Sequence, residues 1–250
     1  MPAQTFNRDN PPAIGVELRG GALAFDGRAV FKDLDLDIPA GQTTCLLGAS
    51  GVGKSSLLRL IAGISPEATA RHLGASDGGP IAGRIAYMDQ RGLLLPWLNV
   101  LANVTLGARL RGEAPDYHRA GDLLARVGLA DEANALPSAL SGGMRQRAAL
   151  ARTLMEDRAV VLMDEPFSAV DALTRLRLQD LAAELLIGRT TLLVTHDPLE
   201  ALRLGHRILV LRGDPAHMST PLEPAGTVPR PADDPALHGL AAGILRDLAA

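Results

Sequence analysis

The chain has a single cysteine among 250 residues. Cys45 stands inside the apolar run TTCLL, so no disulfide framework can form. A reducing, cytoplasmic setting is therefore the expectation. No stretch of about 18 uncharged apolar residues occurs, which excludes a helix that spans a bilayer. The first residues, MPAQTFNRDNPP, have neither a basic start nor an apolar block, so they do not read as a secretory signal. Residues 1–13 read instead as a disordered lead-in. The net charge is only −3, with acids and bases interspersed. Long blocks of like charge are absent, which argues against a nucleic-acid arm or a polybasic membrane anchor. There is no internal repeat and no low-complexity block.

What is present is apolar and regularly punctuated. Hydrophobic residues make up 47% of the chain, enough for one core with room for an inserted subdomain. AIGVELRGGALAF and FKDLDLDI alternate apolar with polar residues, as half-exposed antiparallel strands do. TTCLL, AVVLM and TTLLVT are continuous apolar runs, suited to parallel strands buried on both faces. RIAYM and HRILVL read as further strands. KSSLLRLIAGI reads as a helix, and SGGMRQRAALARTLM carries Met144, Ala148, Ala151 and Met155 on one helical face. Such alternation predicts an α/β core with a mainly parallel sheet, beside an antiparallel β subdomain. The segment from about 91 to 157 shows helical patterns and no strand, so it reads as an inserted helical subdomain. Residues 70–83 are glycine-rich without periodicity and read as a loop. Residues 214–250 read as a proline-rich tail ending in a short helix.

Between TTCLL and KSSLLRLIAGI lies a glycine loop. Gly48, Gly53, Lys54 and Ser55 fit G-x-x-x-x-G-K-S/T, the P-loop. Its backbone N–H groups, from Gly48 through Ala49, Ser50, Gly51, Val52 and Gly53, make a nest for anionic oxygens. The following helix adds the positive end of its dipole. Lys54 would reach the β- and γ-phosphates of ATP, Ser55 would ligate Mg²⁺, and Ser56 would add a phosphate contact. VVLMDEP then ends a buried strand in two acids at the carboxyl edge of the sheet, where α/β ligand sites form. Asp164 would hold Mg²⁺ through water, and Glu165 would polarise the water attacking the γ-phosphate. The plain alternative is that these acids cap the next helix. Ser141, Gly142 and Gly143 precede a helix and could form a second anion site of the same kind, the plain alternative being an ordinary helix cap.

LSGGMRQRAALAR, from Leu140 to Arg152, resembles the signature motif of ATP-binding cassette (ABC) ATPases. The resemblance runs from about Ile14 to Gly213 and implies a P-loop NTPase fold for a single domain over 14–213. It implies that two copies pack head to tail, each signature covering the γ-phosphate on its partner's P-loop. It also implies further roles. Phe25 matches the aromatic residue that stacks on adenine, the alternative being a core strand aromatic. Gln90 matches the glutamine that contacts Mg²⁺ and the attacking water. Asp171, in FSAVD, falls in the D-loop, and His196 matches the histidine that holds the γ-phosphate. Glu165, His196 and Gln90 are thus the expected catalytic residues, and ATP and Mg²⁺ the expected cofactors.

LLLPWLNVLANV, LSGGMRQR and TVPRPADDPALHGL are similar to the nitrate/sulfonate/taurine importer group, which includes ATPases proposed for thiamine-pyrimidine precursors. That resemblance implies an importer subunit at the cytoplasmic face of the membrane, with permease subunits docking near Gln90–Trp97 and a solute-binding protein acting indirectly. Leu93, Leu94, Leu95, Pro96 and Trp97 form an apolar patch that suits a partner, or packs inside the helical subdomain. The other-class reading is a soluble regulatory or assembly ATPase. Nucleic-acid handling is disfavoured by the acidic balance. The residue before Gln90 departs from the family: MDQ stands where FQ is commoner.

Overall fold

A computed structural model describes residues 11–249. Of the lead-in expected over 1–13, residues 1–10 lie outside the described residues. Strands β1 (Val16–Phe25) and β2 (Arg28–Ile38) form an antiparallel hairpin joined by the two-residue turn Asp26–Gly27. β3 (Thr43–Gly48) leads through the glycine loop into α1 (Lys54–Ile61). β4 (His72–Ala75) and β5 (Ile85–Met88) follow. Four helices come next, α2 (Val100–Val104), α3 (Leu106–Leu110), α4 (Tyr117–Arg126) and α5 (Gly142–Met155). Then β6 (Val160–Asp164), α6 (Ala172–Leu185), β7 (Thr190–Val194) and α7 (Pro198–Leu204) alternate. β8 (Arg207–Gly213), β9 (Ala216–Met218) and α8 (Pro235–Ala249) complete the described chain.

Among the described residues the strands make one sheet in the order β4-β1-β2-β9-β8-β3-β7-β6-β5. The five from β8 to β5 pair in parallel. β4, β1 and β2 pair antiparallel at the other end. The apolar runs behave as their composition demands. β6 and β7 are buried along their whole length, on both faces of the sheet. Cys45, Leu47, Met163 and Leu193 face one core, with α5, α6, α7 and α8. Leu46, Leu162, Leu192 and Val194 face the other, with α1 and the antiparallel strands. Each fully buried leucine contributes roughly 1.5–3 kcal/mol to stability. Cys45 is fully buried and burial pushes its thiol up, which leaves it unreactive.

One expectation is corrected. Within 70–83, His72–Ala75 form a strand, pairing antiparallel with β1 from Val16↔Ala75 to Arg19↔His72. The pairing is made by the backbone at the sheet edge, so it needs no side-chain alternation that a sequence could display. Past Gly213, β9 pairs with β8 and touches β2 at Phe31↔Ala216, carrying the sheet across to the hairpin. α8 buries Leu237, Ala241 and Ile244, spaced as one helical face, in the first core.

The parallel register lines up the ends that matter. Asp164 pairs with Val194, Leu46 with Val194, and Met88 with Met163. The loops after β3, β5, β6 and β7 therefore leave the sheet at one edge.

Candidate functional site

The glycine loop is built for a tight backbone. Gly53 caps α1 with φ 108°, and a Cβ there would lie 2.8 Å from Val30 Cγ1. No larger residue fits that position without moving β2. Lys54, only 7% exposed, donates from Nζ to the carbonyls of Gly48 (2.8 Å) and Ala49 (2.9 Å). Burial lowers its pKa, and the nearby Glu165 and Asp164 charges oppose that. Ser55 and Ser56 are half-buried on the first turn of α1, while Ala49, Ser50 and Gly51 are exposed and Val52 half-exposed. Phe25 is not a core aromatic. It is 46% exposed and, with Val30, Ser50, Gly51, Val52 and Asp214, lines an open cleft of ≈ 510 Å³. A ring face beside a phosphate nest suits a base at one end and phosphates at the other.

Across the sheet edge stand the two acids. Asp164 ends β6 at 1% exposure, and neither carboxylate oxygen has a hydrogen-bond partner. Burial holds its carboxyl above the usual carboxylate range; the neighbouring Ser55 hydroxyl pulls the other way, and Glu165 and Asp89 push it further up. Two hard oxygens with no donor, next to a serine hydroxyl, are a donor set that fits Mg²⁺. Glu165 begins the next loop at φ 47°, in the left-handed region that a glutamate rarely adopts. Its Oε2 accepts from Gln90 Nε2 at 3.2 Å and lies 3.3 Å from His196 Nδ1. The structure thus gathers Gln90, Glu165 and His196 around one carboxylate oxygen.

The strain at Glu165 is held from two sides. Its N–H donates to Val194 O (2.9 Å). Its carbonyl accepts from Gln146 Nε2 at 2.7 Å. Gln146 also donates to Ser168 Oγ (3.1 Å) and accepts from Ala169 N (2.7 Å). None of the motif roles falls on Gln146; its one mark in the sequence is a polar residue on the buried face of α5, in step with Ala149 and Thr153.

Ser141 caps α5, accepting from Met144 N at 3.2 Å, and is exposed together with Gly142. A Cβ at Gly143 would lie 2.9 Å from Ala169 O, so glycine is needed where α5 meets the 167–171 loop. Asp171 caps α6 through Thr174 N (3.0 Å), and the backbone N–H groups there lower its pKa. Among the described residues no hydrogen bond or ion pair joins Ser141–Gly143 to the glycine loop of the same chain. Leu93 and Trp97 are 54% and 72% exposed, so the patch does not pack inside the helices there, although Leu94 packs against the core. Buried Asn103 holds its backbone: Leu95 N donates to Oδ1 (2.8 Å), and Nδ2 donates to Leu95 O (3.1 Å) and Leu98 O (2.9 Å).

The ABC transporter family matches residues 31–168, more than half the chain. The chain belongs to the ABC transporter ATPase family. Among curated ABC relatives, the aliphatic sulfonates import ATP-binding protein SsuB of Delftia acidovorans is 46% identical over 96% of this chain and 97% of its own length. An uncharacterized ABC transporter ATP-binding protein of Haemophilus influenzae is 44% identical over 93% of this chain and 98% of its own. An ATP-binding cassette solved as a dimer in a post-hydrolysis state, with ADP and Pi, superposes with a TM-score of 0.73. It is 26% identical, over 85% of this chain and 100% of that one. The α/β fold with its mixed sheet is that of the ABC cassettes.

Proposed function

We propose that this chain is the ATP-hydrolysing subunit of a bacterial ABC importer, in which a second copy of itself and separate permease subunits are its partners. The observation that carries the reading is the convergence of Gln90 and His196 on Glu165, one residue after buried Asp164. ATP would lie with its phosphates on Gly48–Gly53, Lys54, Ser55 and Ser56 and its base on Phe25. Ser55 and Asp164 would hold Mg²⁺ with Gln90 at the same edge, and the ion would supply positive charge to the phosphate oxygens. Glu165 orients and polarises the attacking water, Gln90 fixes its amide against that carboxylate, and His196 steadies the γ-phosphate. Ser141, Gly142 and Gly143 of one copy cover the nucleotide of the other, with Asp171 at the seam. The dimeric relative and the exposure of Ser141 and Gly142 support this pairing.

The ABC domain is taken as 14–213, with its helical part over about 91–157 and the segment 214–250 appended. The permease subunits dock near Gln90–Trp97, a reading that the exposure of Leu93 and Trp97 supports. No helix among the described residues is long and apolar enough to cross a membrane, so attachment to the cytoplasmic face runs through the permease. Within the nitrate/sulfonate/taurine group, the sulfonate-import names of several relatives favour an aliphatic sulfonate as cargo. Those names also count against a regulatory ATPase without cargo.

The test is Glu165→Gln. Removing the base should cut turnover by about 100-fold or more, keep ATP binding, and trap a dimer. Wild-type turnover in that variant removes Glu165 from its role.

A further inference from the structure

The residue before Gln90 is an acid, and it is buried. Asp89 is 6% exposed, where a carboxylate needs partners. Oδ1 accepts from the backbone N of Arg91 at 3.0 Å, closing a turn with Gln90 at its apex. Oδ2 accepts from the Tyr87 hydroxyl at 3.2 Å and from Arg59 Nη2 at 3.3 Å. Arg59 stands in the last turn of α1, the helix that Lys54 begins. One carboxylate is thus bonded to the helix of the glycine loop and to the turn that presents Gln90. The main chain closes the same turn, with Gly92 N donating to Asp89 O at 2.8 Å. From the far side Arg152 of α5 donates to Gly92 O (2.6 Å) and Leu93 O (2.9 Å).

We propose that Asp89 is a positioning residue: it ties the Gln90 turn to α1 through Arg59 and so fixes the Gln90 amide against Glu165. This rests on the nucleotide reading above and deepens it. Asp89 touches no reacting group. Its effect passes through Gln90, whose exposed side chain has its hydrogen bond to Glu165 as anchor. A turn cut loose from α1 leaves that amide free to wander, and small misplacements at a reacting centre are expensive in rate. An apolar side chain at this position could not accept from Arg59, Tyr87 or Arg91, so the glutamine turn is held here by polar contacts.

The test is steady-state ATPase turnover of the full chain, with ATP affinity measured separately by a fluorescent ATP analogue. Asp89→Ala removes every side-chain contact, Asp89→Asn keeps the turn acceptor without the charge, and Arg59→Gln alters the α1 partner at a half-exposed site. We expect kcat to fall about tenfold in Asp89→Ala and Arg59→Gln, and less in Asp89→Asn, with ATP affinity within about twofold of wild type. The double variant should fall no further than Asp89→Ala, because both changes cut one connection. Unchanged kcat in Arg59→Gln and Asp89→Ala, additive losses, or a loss confined to ATP affinity overturns the inference. If the wild-type chain hydrolyses no ATP, the nucleotide reading fails and this falls with it. If it does and the variants match it, this inference alone fails.

Discussion

Glu200, four residues beyond His196, is an acid with only 6% of its surface exposed. It accepts from Gln179 Nε2 at 3.1 Å and lines a small cavity together with Glu165, Arg175, Thr195 and His196. Burial pushes its pKa from an ordinary 4.5 up to about 7, with Asp197 adding to the rise and Thr195, Gln179 and Arg175 opposing it. A raised acid pKa means that the folded protein prefers the neutral carboxyl. Below 4.5 both states hold the proton and nothing is lost. As pH climbs towards 7 the unfolded chain ionises freely and the folded one resists, so stability declines through that window and stays lower above it. The cost on the alkaline side is ~3 kcal/mol. Glu200→Gln keeps an acceptor for Gln179 and abolishes the ionisation. Urea unfolding at pH 5 and pH 8 should therefore show a smaller stability loss in the variant, by ~3 kcal/mol at most. An identical loss in both proteins would mean that Glu200 carries its charge without penalty.

Above the single residue, α7 is a short helix whose two ends are tied to different parts of the chain. Asp197 caps its start, accepting from Leu199 N at 2.9 Å. Its end is capped from the proline-rich segment by Arg230, which is 3% exposed. Arg230 Nη1 donates to Leu202 O (2.7 Å) and Gly205 O (2.8 Å), while Nε and Nη2 reach Ala225 O (2.7 Å) and Pro224 O (2.6 Å). A cation at a helix C-terminus meets the negative end of the dipole, and its five N–H groups suit a fan of carbonyls. Burial lowers its pKa, but the guanidinium keeps its charge. Arg230→Ala leaves several carbonyls unpaired and should cost about 3 kcal/mol, or roughly 6–12 °C in Tm for a chain of this size. Arg230→Lys should recover little, since one ammonium cannot span the fan. A thermal melt within a degree of wild type would refute the clamp.

No sequence pattern announces that clamp, because the carbonyls of 202, 205, 224 and 225 converge only after folding. The same holds for β4, an edge strand made by backbone pairing with β1. The parallel strands were legible because a strand covered on both faces must be apolar throughout. The glycine loop was legible because a phosphate nest demands glycine at fixed spacing. Glu165 was legible as an acid at a strand end, but its φ of 47° was not, since Val194 and Gln146 impose it from other elements.

At the scale of the whole molecule, one edge of the sheet carries Gly48, Gln90, Asp164 and His196, all delivered by parallel strands in register. Ser141 and Gly142 stand exposed, and a Cβ on Gly142 would meet nothing within 4 Å. Neither is bonded to the glycine loop of its own chain, and on the proposed pairing they complete the nucleotide site of another copy. That can be tested without a structure of the pair. Lys54→Ala spoils the P-loop half and Ser141→Arg the signature half, so either variant alone should lose turnover by about 100-fold or more. In a mixed dimer one site collects both faults, while the other joins an intact P-loop to an intact signature. Mixing the two inactive proteins should therefore restore phosphate release well above the sum of the separate rates, and increasingly so as concentration favours dimers. A mixture no more active than its parts would place both halves of the site in a single chain. The exposed helix start at Ser141 would then need some other anion to bind.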